Sequence, residues 1–301
     1  MNKRSLALLA ATGASTIYGI NHTVAKGLMP VYIEPFGFIL LRVVGAAILF
    51  WLISFWGPKE KIATRDWPRL FGCTVLGMMI NMLFFFKGLS LTTPINSSVI
   101  LTTSPILVLV LAAILIRERI TWLKTAGIIT GLAGAVGLIL FGKSHVIDAP
   151  NIPLGNILVL FNAVSYSLYL ILVKPLTSKY HPFTLMKWLF LLAVVVNLPI
   201  TLNQFLEVEW SSLPMHAIVK MAFVVIGTTF LTYLLNIFAL RQLSAATLSS
   251  FIYLQPLVAI IYAVATGADE LTAVRVMGAI LVFAGVYMVT RKKPLPQEKS
   301  S

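Results

Sequence analysis

Two stretches of this chain, residues 77–141 and 227–290, read as copies of one module. Pro105 recurs as Pro256, Gly127 as Gly278 and Gly134 as Gly285, each 151 residues further on. The loop Arg117-Glu118-Arg119-Ile120-Thr121 has its counterpart in Ala268-Asp269-Glu270-Leu271-Thr272. A duplication restricts the fold to two similar bodies. A proline that interrupts the same hydrophobic segment of each body, in an apolar chain, points to a site built between the repeats.

The 301 residues are 58% hydrophobic and 11% charged, with mean hydropathy +0.92. Soluble domains carry about 25% charged residues, so the chain is expected to be integral to a membrane. Its net charge of +13 sits in short loops and tails rather than on one soluble module. That distribution fits topology signals and contact with anionic lipid, and argues against a nucleic-acid partner. The single cysteine, Cys73, excludes an intramolecular disulfide. Asn2-Lys3-Arg4, Leu6 to Ala11 and Thr12-Gly13-Ala14 imitate a signal peptide. Cleavage there would remove the partner of a helix in the second half, so an uncleaved first span is expected.

About 20 apolar residues cross the hydrocarbon core as a helix. Scanning on that basis gives ten spans: 6–25, 36–56, 70–88, 95–116, 123–141, 154–174, 184–203, 217–238, 247–267 and 273–290. The runs are continuous rather than alternating, which selects helices over barrel strands. With the N-terminus inside, 16 Lys and Arg fall on inner segments and 5 on outer ones, with Arg42 and Lys187 inside spans. Both termini are therefore expected in the cytoplasm. Five spans per copy is an odd number, so the second copy must enter the membrane upside down. The expected fold is all-α, with ten transmembrane helices arranged as two inverted-topology five-helix repeats. Residues 1–141 form the first, 142–153 a linker, 154–290 the second and 291–301 a basic cytoplasmic tail. Tyr18 to Lys26 also has the spacing of Tyr166 to Lys174, each followed by a Pro-Phe pair.

At these residues the chain resembles a known family. Tyr18-Gly19, Asn21, Lys26, Pro35 and Arg42 resemble the opening of an EamA-type module of the drug/metabolite transporter superfamily. Pro105, Glu118-Arg119-Ile120-Thr121, Gly127 and Gly134 resemble its close, repeated as Gln255-Pro256, Glu270-Leu271-Thr272, Gly278 and Gly285. The resemblance implies ten helices around a central cavity walled by spans one, three, four, six, eight and nine. It also implies export or exchange of amino acids and other small metabolites. Tyr18 stands where the family often has tryptophan.

Polar groups inside spans avoid lipid and face the interior. The residues expected to line a substrate path are Tyr18, Asn21, Asn81, Ser98, Thr102, Asn162, Tyr166, Tyr169, Tyr233, Asn236, Tyr253 and Gln255. Amides and phenols can hydrogen-bond a zwitterionic or heteroaromatic solute while offering an aromatic face. Pro105 and Pro256 each remove a helix hydrogen bond and read as hinges or cavity walls, with a simple packing kink as the alternative. Arg42 and Lys187 are expected to snorkel to the headgroups, the alternative being contact with an anionic group of a solute. No acid lies at mid-span, which favours facilitated export or exchange over carboxylate-based proton coupling, and His22 reads as a wall residue. Gly127, Gly131, Gly134 and Gly137 make a smooth packing face, with a dimer seam as the weaker reading.

Residues 137–144 match the phosphate-loop pattern G-x-x-x-x-G-K-S, but at the end of a membrane helix instead of between a strand and a helix. ATP-driven pumping is excluded on that ground. No HExxH, GxSxG or membrane aspartate pair marks an intramembrane enzyme, and a receptor or scaffold would carry a soluble interaction domain. No cofactor or metal is expected. The expected partners are a small-molecule substrate and the lipid bilayer, with the chain a monomer or weak homodimer.

Overall fold

Five helices are long and apolar enough to cross a bilayer in one piece: Pro35–Ser54, Thr64–Leu91, Ile152–Lys179, Pro182–Leu206 and Met215–Gln242. The computed structural model describes residues 2–92, 94–118, 120–140, 150–265 and 273–290. Within these, the side chains of residues 22, 23, 26, 94–96, 98, 138–140, 259–260, 262–265 and 274–275 stand outside the description. Among the described residues the architecture is helical, without a strand.

The first body contains α1 (Lys3–Lys26), α2 (Pro35–Ser54), then α3 (Trp67–Thr74), a π-helical segment π1 (Val75–Ile80) and α4 (Asn81–Leu91). It continues with α5 (Pro94–Leu101), α6 (Ser104–Leu115) and α7 (Trp122–Leu140). The second contains α8 (Ile152–Lys179), α9 (Pro182–Leu206), then α10 (Met215–Phe223), a π-segment π2 (Val224–Leu231) and α11 (Thr232–Gln242). After these come α12 (Ala245–Ser250), a 3-10 turn at Phe251–Tyr253, α13 (Leu254–Ala265) and α14 (Ala273–Thr290). Both bodies therefore share a π-segment holding a glycine, Gly77 or Gly227, and then an interrupted helix. Proline at the first turn starts α2 and α9, where a missing N–H costs nothing.

The most extensive pairings join α7 to α14 and α2 to α9. α1 packs along α11 and α13, while α8 packs along α4 and α6. The first helix of each half thus lies against the fourth and sixth helices of the other. Glycines set the α7–α14 separation. A Cβ on Gly285 would sit 2.4 Å from the Gly131 nitrogen, and one on Gly134 would sit 2.7 Å from the Gly278 carbonyl oxygen. The smooth glycine face expected on α7 is consequently occupied within the chain by α14, and Gly131 receives the ring of Tyr253. A Cβ added at Gly137 would meet nothing within 4 Å among the described residues of the packed neighbours. Residues 141–149, which include the end of the phosphate-loop match, lie outside the described residues.

A π-segment disturbs the ordinary i to i−4 ladder, and irregular backbone survives at membrane depth only when its polar groups find partners. Around π1 those partners come from the second body. Ser165 Oγ donates to the Leu76 carbonyl at 2.7 Å, Tyr233 Oη to Gly77 at 3.3 Å and Asn197 Nδ2 to Met78 at 3.3 Å. In π2, Thr229 Oγ1 donates to Val224 at 2.8 Å and Thr232 Oγ1 to Thr228. Ser165→Ala should therefore lower the melting temperature of detergent-solubilised protein, by an amount corresponding to about 1 kcal/mol. Ser167→Ala should change it little, because Ser167 Oγ only doubles the bonding of Ala163 in its own helix. Equal shifts for the two variants would refute the bracing role.

Candidate functional site: an interior polar cavity

The cavity lies where the two bodies meet and has a volume of about 120 Å³. One water needs roughly 10–15 Å³ on the same measure, so there is room for a small solute. Helical periodicity puts one short stripe of each element on its wall. α1 presents Ser15, Tyr18 and Asn21; α4 presents Asn81, Met82, Phe85 and Phe86; α8 presents Asn162 and Tyr166, one turn apart. α11 adds Tyr233 and Asn236, and α2 adds Arg42. Leu101 and Ser104 flank the break before α6, and Leu248, Ile252 and Gln255 flank the break before α13. Close approach at Gly19 fixes one wall, since a Cβ there would lie 2.8 Å from the Gln255 carbonyl oxygen.

Eight of the twelve residues expected from sequence meet in this cavity: Tyr18, Asn21, Asn81, Asn162, Tyr166, Tyr233, Asn236 and Gln255. Several are anchored. Asn162 Nδ2 donates to the Asn81 carbonyl at 2.7 Å, and Thr228 Oγ1 donates to Asn21 Oδ1 at 3.0 Å. Tyr18 and Tyr166, equivalent by spacing, both line the space.

Three residues do not line it. Tyr169 lies over Gly77, where an added Cβ would come within 2.5 Å of the ring. Tyr253 covers Gly131 in the same way. The Thr102 hydroxyl donates to the Val99 carbonyl at 2.6 Å and closes the last turn of α5. The side chain of Ser98 lies outside the described residues, as does that of His22.

The prolines sit at helix starts. Pro105 is the second residue of α6 and Pro256 the third of α13, so each starts a new half-helix after the interruption rather than kinking a continuous one. The residue before each, Ser104 or Gln255, reaches the cavity.

Arg42 corrects the snorkelling expectation. It is 5% exposed. Its Nε donates to Thr229 Oγ1 at 2.9 Å, and its guanidinium carbon lies 4.9 Å from the centre of the Phe86 ring. The two ion pairs among the described residues, Lys124–Glu118 and Lys179–Asp66, do not involve it. Lys187 lies over Trp51 and Trp188 at 5.2 and 5.8 Å. Ser15 and the apolar wall were missed as well, although helical spacing from Tyr18 and Asn81 carried a signal for them. Among the described residues no three His, Cys, Asp or Glu side chains gather where a metal could bind.

Helices of membrane length around a buried polar cavity are the build of a membrane transport protein. The EamA-like transporter family model matches residues 5–140 and 153–291, and the chain belongs to that family, within the drug/metabolite transporter superfamily. It is 31% identical to an uncharacterized transporter of Archaeoglobus fulgidus over 92% of this chain and 96% of the relative. It is 23% identical to a probable terminal-alkyne amino-acid exporter of Streptantibioticus cattleyicolor, covering 85% of this chain and 84% of that protein. A solved crystal structure, 17% identical, superposes with a TM-score of 0.78 over 95% of this chain and 96% of its own, which shows a shared fold.

Proposed function

We propose that the chain is a secondary transporter that exports or exchanges small organic solutes, amino acids or related compounds, by alternating access across the cytoplasmic membrane. The observation that carries this reading is an interior cavity walled by equivalent residues of the two halves, Tyr18 with Tyr166 and the pre-proline residues Ser104 with Gln255. Two bodies that exchange roles give one protein two states of similar energy. Counting α3–π1–α4, α5–α6, α10–π2–α11 and α12–α13 as one crossing each leaves five per half, which with the Lys and Arg bias supports inverted repeats and cytoplasmic termini. The breaks before Pro105 and Pro256 are the natural hinges. Exposed apolar side chains such as Phe55, Ile114 and Phe161 suit contact with lipid, in keeping with a monomer or weak dimer.

Purified protein in liposomes should release preloaded amino acids from a metabolite panel without ATP. Tyr166→Ala should reduce that flux about ten-fold or more, as loss of a central aromatic contact implies. A folded protein that moves nothing across a broad panel would refute transport.

A further inference from the structure

We propose that the solute carries a carboxylate, and that Arg42 together with Ser104, at the start of α6, holds that group. This rests on the reading of the cavity as a transport site.

Arginine stays charged in proteins and presents five N–H donors. Burying it at membrane depth is costly unless those donors and the charge find partners. Among the described residues only Nε has an acceptor, Thr229 Oγ1, and the Phe86 ring covers the guanidinium. The terminal N–H groups have no acceptor among the described residues. Among the described residues no Asp or Glu lines the cavity, and Arg42 is the charged group on its wall. A planar fork of this kind matches a carboxylate with two parallel hydrogen bonds.

Ser104 is an independent sign of the same ligand. It lines the cavity, is 1% exposed, and its hydroxyl has no hydrogen-bond partner among the described residues. It opens a 12-residue helix whose positive end favours negative charge. Asn236 and Gln255, also on the wall and without side-chain hydrogen bonds among the described residues, offer carboxamide oxygens to an ammonium. Tyr18, Tyr166 and Phe85 supply faces for an apolar remainder. The arrangement selects a small carboxylate, with or without an amino group, over a cation or a neutral amide.

The test is thermal stabilisation of the purified full chain by matched series: an amino acid, its decarboxylated amine, its amide and the acid lacking the amino group. Carboxylate-bearing members should stabilise the wild type with rising concentration, as linkage requires, and the amine and amide should not. Arg42→Gln should weaken the carboxylate response about ten-fold or more, with Arg42→Lys falling between. Should Arg42→Gln fail to fold, Ser104→Ala removes no internal bond and should still weaken carboxylates several-fold without affecting melting of the empty protein. Stabilisation by amines or amides equal to that by acids would overturn the proposal. So would an undiminished carboxylate response in these variants, or no response to any acid. Flux in liposomes separates the two readings. Carboxylate binding without flux would sink transport and leave the anion site standing, and flux of neutral solutes unchanged in Arg42→Gln would do the reverse.

Discussion

Gly285→Leu should prevent α7 and α14 from packing and cost more stability than any other single change considered for this fold. Apolar burial gives no net drive between helices in lipid, so close van der Waals contact and hydrogen bonding hold them together. At Gly285 that contact is backbone on backbone. An added Cβ would meet the Gly131 nitrogen at 2.4 Å, the Gly127 carbonyl oxygen at 2.6 Å and the Gly131 Cα at 2.6 Å. None of these atoms ends a flexible side chain that could swing away, so relief requires moving one helix off the other. Overpacking costs about 1–3 kcal/mol where side chains can adjust, and this site should exceed that range. The measurement is melting by size-exclusion chromatography in mild detergent, with Gly72→Ala as the contrast. A Cβ added at Gly72 would meet nothing within 4 Å among the described residues, and alanine is favoured over glycine inside a helix by about 0.5–1 kcal/mol. Gly285→Leu should aggregate or melt far below the parent while Gly72→Ala holds level or gains. Similar melting of both variants would show that the α7–α14 contact is not what the geometry indicates.

The paired glycines and prolines were legible because each is a strong local signal repeated at a fixed interval. Legibility failed where an outcome depended on a distant partner. Arg42 lies about two turns from the start of α2, a depth from which its side chain can reach either the headgroups or the interior. Only the hydroxyl of Thr229 and the ring of Phe86 decide between them. Tyr166 and Tyr169 look equivalent along the chain, and their rings lie 6.2 Å apart. Three residues advance a helix by less than a full turn, so Tyr166 enters the cavity while Tyr169 fills the notch over Gly77. The π-segments had no readable signature. Val75–Ile80 and Val224–Leu231 are plain apolar runs with a glycine, and π1 is braced by Ser165, Tyr233 and Asn197 from other helices.

Asp66→Ala should open the protein at the end that the Lys and Arg bias assigns to the cytoplasm. There the connection between α2 and α3 is tied to the end of α8. Lys179 Nζ contacts the two Asp66 carboxylate oxygens at 2.9 and 3.1 Å, and Tyr180 Oη donates to Asp66 Oδ2 at 2.7 Å. Tyr180 Oη in turn accepts from the Ala63 N–H at 3.0 Å, and the His181 N–H donates to Glu60 at 2.7 Å. Partial burial holds the His181 imidazole below its ordinary pKa, with Glu60 pulling the other way. The tie to Glu60 runs from the His181 backbone N–H, so it does not depend on the imidazole's charge. Lys174 adds a second clasp by donating to the carbonyls of Leu240 and Leu243 at the end of α11. Alternating access requires such ties to break in one state and hold in the other. Lys179 is 40% exposed, so its pairing is that of a surface ion pair, largely screened by water. The Tyr180 hydrogen bond to the charged carboxylate is the stronger of the two ties, and water restores part of it when the site opens. Loss of both ties should shift the two-state ratio on the order of ten-fold. Cys73, the single cysteine, lies buried in α3 seven residues beyond Asp66, so its accessibility to a labelling reagent can serve as the readout. In inside-out vesicles, a membrane-impermeant maleimide should label Cys73 faster in Asp66→Ala than in the parent by about that factor, with melting lowered only slightly. A lower melting point with unchanged labelling would mean that the cluster braces the fold without gating it.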